Sequence, residues 1–173
     1  MTEEQAKALI FSMRKEGTGQ LPHMNIRGKE ESIPGPGGPI RVLTYRPEGN
    51  GPFPVYLNFH GGGFIMGLPE FDDAFCHRVC QELGVSVVNV DYRLAPEFPY
   101  PAGVEDCRAV VRHVLAHPEQ YKADPSRMAI GGDSAGGTLT AGLSVWAAEE
   151  KVCSFKCQLL DYPPLDMKAN AFD

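Results

Sequence analysis

The stretch Ile130-Gly131-Gly132-Asp133-Ser134-Ala135-Gly136-Gly137 constrains this chain more than any other. The run Ser126-Arg127-Met128-Ala129 before it reads as a short buried strand, and Thr138 to Ala148 after it as a mostly buried helix. Between them, Gly132-Asp133-Ser134-Ala135-Gly136 fits Gly-x-Ser-x-Gly, in which a serine sits on a sharp strand-to-helix turn. Such a serine takes a strained backbone conformation. Side chains two residues to either side would collide, so glycine is needed at both places. The turn lifts the hydroxyl above the sheet edge, and the helix points its first amides at any oxyanion formed there. The competing reading is a glycine-rich turn that happens to contain serine. A strand before it and a helix after it weigh against that.

A chain of 173 residues suffices for one domain with a substantial core, though it is small for an α/β enzyme. Apolar residues at 43% and charged residues at 22% argue against disorder. The net charge of −6, without a basic cluster, argues against nucleic acid or an anionic membrane as partner. Met1-Thr2-Glu3-Glu4-Gln5 has neither a basic nor an apolar signal region, and no apolar run approaches membrane-spanning length. The expected location is the cytoplasm. The odd count of five cysteines then predicts reduced thiols. Cys76/Cys80 and Cys153/Cys157 share a four-residue offset, but lack zinc-knuckle spacing and lie in apolar sequence, so buried thiols are expected and no metal.

Taken in order, Thr2 can cap a helix over residues 3–16, ended by Gly17, with Ala6, Leu9, Ile10 and Met13 on one apolar face. Asn25 to Ile33 and Ile40 to Tyr45 read as a hairpin around Pro34-Gly35-Pro36-Gly37-Gly38. Strand Val55 to Phe59, helix Phe71 to Leu83, strand Val85 to Val90, helix Val104 to Ala116, strand Met128 to Ile130 and its helix, and strand Cys157 to Leu160 follow. A hairpin followed by this alternation predicts an α/β fold whose mostly parallel sheet carries helices on both faces. No linker divides the chain, and no internal repeat is evident.

His60-Gly61-Gly62-Gly63-Phe64 begins where the strand ending at Phe59 stops, at the sheet edge where ligands bind in such folds. Three glycines leave backbone N–H groups bare, as an oxyanion hole requires. No lysine or hydroxyl residue follows in phosphate-loop order. Together with Asp91-Tyr92-Arg93-Leu94-Ala95-Pro96-Glu97 and Gly132-Asp133-Ser134-Ala135-Gly136-Gly137, this loop resembles the hormone-sensitive-lipase-like (bacterial family IV) esterases of the α/β-hydrolase superfamily, from about Pro54 to Leu165.

The resemblance implies that Ser134 is the nucleophile and that Gly62, Gly63 and Ala135 supply oxyanion amides. It implies that His60 braces the glycine loop, that Gly132, Asp133 and Gly136 support the turn, and that Asp91 to Glu97 shapes the wall beneath the site. It further implies a small-molecule ester substrate, often with a short acyl chain, and no cofactor. Residues 1–24 would form an N-terminal cap segment, and residues 25–173 the α/β-hydrolase core, truncated after about the sixth strand.

A serine hydrolase of this kind needs a histidine to take the serine proton and an acid to orient that histidine, both following the serine in sequence. All five histidines (His23, His60, His77, His113 and His117) precede Ser134, and 39 residues follow it. Asp161, Asp166 and Asp173 come too early to serve as the acid. His113 and His117 are expected to face solvent and His77 to be structural, while His23 lies in a loop beside the cap segment. The triad is therefore expected to be incomplete and the chain near-inactive alone. Its last strand would be an unpaired apolar edge, open to a complementing chain or to self-association. A binding protein without chemistry, or a degraded remnant of the fold, are the alternatives.

Overall fold

Turn chemistry sets the first edge of the sheet. In the computed structural model, which describes residues 1–166, β1 (Lys29–Gly35) and β2 (Gly38–Tyr45) pair antiparallel around Pro36-Gly37, with Ile33 opposite Ile40. Gly38, at φ 121°, takes a conformation that strains any other residue. The first strand starts at Lys29 rather than Asn25. The N–H groups of Arg27 and Gly28 donate instead to the Asp73 carboxylate, each at 2.9 Å, which removes them from strand pairing.

The remaining strands are β3 (Phe53–Phe59), β4 (Ser86–Val90), β5 (Ala123–Asp133) and β6 (Cys157–Asp161). Their order is β1-β2-β4-β3-β5-β6, with β2 antiparallel to β4 and the pairs β4/β3, β3/β5 and β5/β6 parallel. The helices are α1 (Glu3–Thr18), α2 (Asp73–Leu83), α3 (Ala102–Ala116) and α4 (Ser134–Glu149). This is the expected α/β architecture.

Alternation along the central strands feeds two core layers. Val55, Leu57 and Phe59 pack with Val110, Val111 and Val114 of α3 and with Leu143 and Trp146 of α4. Tyr56 turns the other way, joining Leu43, Tyr45 and Val87 against Cys76 and Cys80 of α2. Polar residues buried in these strands are all partnered: Asn58 donates to Asn89 across the β3/β4 pair at 3.1 Å, and Asn89 donates to the Pro69 carbonyl at 2.7 Å.

Several boundaries differ from the sequence reading for local reasons. Thr2 and Gln5 form the expected capping box, but α1 runs on to Thr18 and is capped by Gly19. Phe71 and Asp72 fall in a one-turn 3-10 helix (Pro69–Asp72) ahead of α2. β5 starts early, because the Phe53 N–H donates to the Lys122 carbonyl at 2.7 Å and opens pairing at Ala123. α4 starts at Ser134, so its glycines lie inside the helix.

Cys76, Cys80 and Cys107 are buried, but Cys153 is only partly so and Cys157 is exposed; all five are free thiols. The expectation of burial fails at Cys157 because among the described residues β6 pairs only with β5, and all five of its residues are exposed. Leu159 and Leu160 are 45% and 39% exposed, so among the described residues this edge is apolar and unpaired, as the resemblance to a longer fold implied.

The loop after β4 is fastened to α3 by one ion pair. Arg93 donates from Nε at 2.8 Å and from Nη2 at 2.9 Å to the Asp106 carboxylate, which is 1% exposed. Arg93→Met leaves that carboxylate buried with a backbone donor alone, and is expected to cost about 3–5 kcal/mol in urea unfolding. Adding Asp106→Leu should recover most of the loss. A single substitution costing under about 1 kcal/mol would show the pair to be solvated in solution.

Candidate active site

β3 and β5 are parallel neighbours with Phe59 opposite Gly132, so the loop after Phe59 and the turn after Gly132 leave the sheet side by side at the strands' C-terminal ends. The turn is as strained as its sequence requires: Ser134 sits at φ 46° and is the first residue of α4. The glycines flanking it are pressed against backbone. A Cβ on Gly132 would run into the Phe59 carbonyl oxygen and the Gly136 backbone. One on Gly136 would run into the carbonyls of Phe59 and His60. The obstacle is thus mainly the neighbouring strand, and glycine is needed to bring the two motifs together. Ala135 is buried at the helix start, where its N–H belongs to the unpaired first turn.

The glycine loop turns back on itself. Gly62, Gly63 and Phe64 have φ of 119°, 63° and 64°. Ile65 and Met66 both donate to the Gly62 carbonyl, at 3.2 and 2.9 Å. A Cβ on Gly62 would strike the Met66 carbonyl, so the tight turn excludes any side chain there. The Ala95 N–H donates to the Phe64 carbonyl at 2.9 Å, tying the glycine loop to the Asp91–Glu97 segment.

His60 is 1% exposed, stacked on Tyr92 with ring centroids 4.3 Å apart, and its carbonyl accepts from the Tyr92 hydroxyl at 2.7 Å. Its Nδ1 lies 2.7 Å from the Gly61 carbonyl. A carbonyl only accepts, so Nδ1 carries the proton and orients the peptide that leads into Gly62. Burial pushes the pKa of His60 down and keeps the ring neutral. Its Nε2 is buried without a partner among the described residues.

Asp133 accepts from the Tyr162 hydroxyl at 3.2 Å, and a Cβ on Gly61 would collide with its carboxylate. The segment after β6 folds onto the start of α4, where Thr138 donates to the Pro164 carbonyl at 3.1 Å. Asp161 pairs with Asp133 in strand register, Asp166 is described, and Asp173 lies outside the described residues.

No histidine meets Ser134 among the described residues. The rings of His113 and His117 lie 4.6 Å apart, tilted by 45°, at the C-terminal end of α3, shortly before β5 begins, whereas Ser134 follows the end of that 11-residue strand. His77 lies on α2, and His23 is exposed in a short 3-10 turn. No group of three or more His, Cys, Asp or Glu side chains suited to a metal occurs among the described residues. No helix among them is long and apolar enough to cross a membrane.

Asp72 is a feature that sequence reasoning missed. Burial pushes its pKa from 3.8 to about 6; a hydrogen bond from Asn58 at 2.7 Å opposes this, and the nearby charge of Asp133 adds to it. Because folding raises this pKa, the folded chain binds the proton more tightly than the unfolded one. That stabilisation is complete below pH 3.8 and is lost as the pH rises through about 6. Asp72→Asn, neutral throughout, is therefore expected to exceed the parent in stability by about 2–3 kcal/mol at pH 7, with the gap closing by pH 4. Urea midpoints at the two pH values measure it, and an equal gap at both would contradict the assignment.

Residues 56–172 match a family described as alpha/beta hydrolase fold. The chain is 43% identical over 147 residues to esterase LipI of Mycobacterium tuberculosis, covering 83% of this chain and 46% of that protein. It is 43% identical over 121 residues to the carboxylic ester hydrolase LipN of the same organism, covering 69% and 32%. A hyperthermophilic esterase from the archaeon Pyrobaculum calidifontis superposes with a TM-score of 0.82 at 37% identity, over 89% of this chain and 53% of that one. The chain thus spans about half the length, or less, of these relatives. With its strand order, elbow and glycine loop, it belongs to the alpha/beta hydrolase fold family, in the hormone-sensitive-lipase-like branch.

Proposed function

We propose that this chain carries the nucleophile half of a carboxylic ester hydrolase acting on short-chain esters through an acyl-enzyme at Ser134. The observation that carries the reading is the elbow itself. Ser134 is held at φ 46°, between two glycines whose side chains the neighbouring strand forbids. The esterase relatives support the reaction class.

In the proposed reaction the Ser134 oxygen attacks the ester carbonyl while its proton passes to a histidine. The amides of Gly62, Gly63 and Ala135 hold the resulting oxyanion. Collapse breaks the bond to the alcohol, which leaves with the proton from the histidine. Water then attacks the acyl-enzyme by the same route and releases the acid. The histidine and its orienting acid come from residues outside this chain. Residues 1–24, with α1, form the first piece of a cap over the site, and the exposed edge of β6 is where the complementing part pairs. The five free thiols support a reducing, cytoplasmic setting.

The test is p-nitrophenyl butyrate hydrolysis by the chain alone, and by the chain supplied with a complementing segment that bears an acid and a histidine, each beside Ser134→Ala. Turnover in the supplied preparation alone, abolished by Ser134→Ala, is expected. Strong turnover by the chain alone would overturn the division into halves. Turnover that survives Ser134→Ala would overturn the nucleophile. A supplied preparation that binds ester without turnover would favour the binding-protein reading.

A further inference from the structure

α1 buries none of its residues, and Leu9, Phe11 and Met13 are between 42% and 51% exposed. Apolar packing therefore does little to dock this helix. One side chain on it is bonded differently. Arg14, 20% exposed, donates from Nε to the Ile65 carbonyl at 2.6 Å, from Nη2 to the Ala95 carbonyl, and from Nη1 to Glu97 at 2.5 Å. The two carbonyls belong to the two loops that meet beneath the site. Those loops are joined to each other by the bond from the Ala95 N–H to the Phe64 carbonyl. The result is a closed ring of hydrogen bonds: Arg14 to Ile65, along the chain to Phe64, across to Ala95, and back to Arg14.

This ring runs through Phe64, at the end of the glycine loop's positive-φ stretch. Three successive residues, Gly62 to Phe64, have positive φ, and Phe64 is not a glycine. Glycine adopts such angles freely, so the strain falls on Phe64, which holds its conformation only where its surroundings over-determine it. The turn's own bonds, Ile65 and Met66 to the Gly62 carbonyl, close it from within. Arg14 grips it from outside, at the carbonyl that follows Phe64. The planar guanidinium fork, with donors pointing in fixed directions, can hold two loops in one relative position, which a lysine ammonium cannot.

We infer that Arg14 is a positioning residue for the oxyanion loop, coupling the docking of α1 to the placement of the Gly62 and Gly63 amides. The inference rests on the proposal that those amides are the oxyanion donors. When Arg14 releases, the Phe64–Ile65 peptide is free to relax, and the amides upstream of it leave their aligned positions. α1 and the oxyanion loop then order and disorder together.

The test uses the chain itself and needs no turnover. In Arg14→Ala, hydrogen exchange at the Met66 amide, which closes the glycine turn, and at the Ala95 amide, which is bonded within the ring, is expected to rise about tenfold or more. The amide NMR shifts of Gly62 and Gly63 should move, while those of β3 and β5 hold. Guanidinium chloride in the millimolar range, but not sodium chloride, should restore the shifts by filling the vacated fork. Unchanged shifts and exchange in Arg14→Ala would overturn the inference. So would protection lost equally across β3 and β5, which would mark Arg14 as a general stabiliser. Ser134→Ala serves as the separate control: it tests the nucleophile through activity and should leave the Gly62 and Gly63 shifts of the free chain in place.

Discussion

Gly136→Ala is expected to lower the stability of the chain by about 3 kcal/mol or more, or to prevent folding outright. The added methyl group would have to occupy space taken by the Phe59 and His60 carbonyls, which are backbone atoms of the central strand and the residue after it, and cannot rotate away. Relief requires α4 to move off β3, which would separate the serine turn from the glycine loop. The same substitution at Gly142 provides the comparison. That residue lies on the same helix, and an added methyl group there would have nothing within 4 Å, so alanine should stabilise by about 0.5–1 kcal/mol. Urea unfolding of the two variants beside the parent measures both. Equal effects would mean that helix propensity, rather than the carbonyl contact, governs position 136.

Ser134→Ala, in a preparation that contains the acid and the histidine, is expected to lower kcat by about 10⁴ to 10⁶-fold. A residual rate above that in water should persist, because the amides proposed as oxyanion donors survive the change. Ser134→Gly makes a further distinction. It removes the hydroxyl and also relieves the left-handed strain at φ 46°, so it should be equally inactive yet about 1 kcal/mol more stable than Ser134→Ala. Equal stability of the two variants would show that the turn carries no strain. A loss of activity together with a gain in stability would mark the conformation as one kept for chemistry.

The features legible in the sequence were those whose physical requirement is local. The elbow and the glycine loop each need glycine within a few residues, so both motifs could be placed at strand ends from the order of residues alone. The hairpin and the α/β class followed from alternation and order, and the exposed final edge from the resemblance to a fold with further strands. What was not legible depended on partners far away in the chain. Nothing in the residues around Arg14 indicates that its fork reaches carbonyls 51 and 81 positions on. The elevated pKa of Asp72 arises from burial, with Asn58 and Asp133 modifying it, and neither of those two is adjacent to it in sequence. The burial of Cys157 was misjudged because apolar neighbours in sequence say nothing of whether a strand has a second neighbour in space. Sequence order also hid that β4, which follows β3, lies between β3 and the hairpin.

The shallow seating of α1 has a consequence for how such a chain can change over generations. A helix with no buried residue is under almost none of the volume constraint that holds a core fixed. Its outward positions can drift, and its length or face can be exchanged, without disturbing the sheet below. Among the described residues, what a changed helix has to keep is the reach of the Arg14 guanidinium to Ile65, Ala95 and Glu97. Novelty in what passes over the glycine loop can therefore accumulate independently of the scaffold, at a rate that the scaffold does not set.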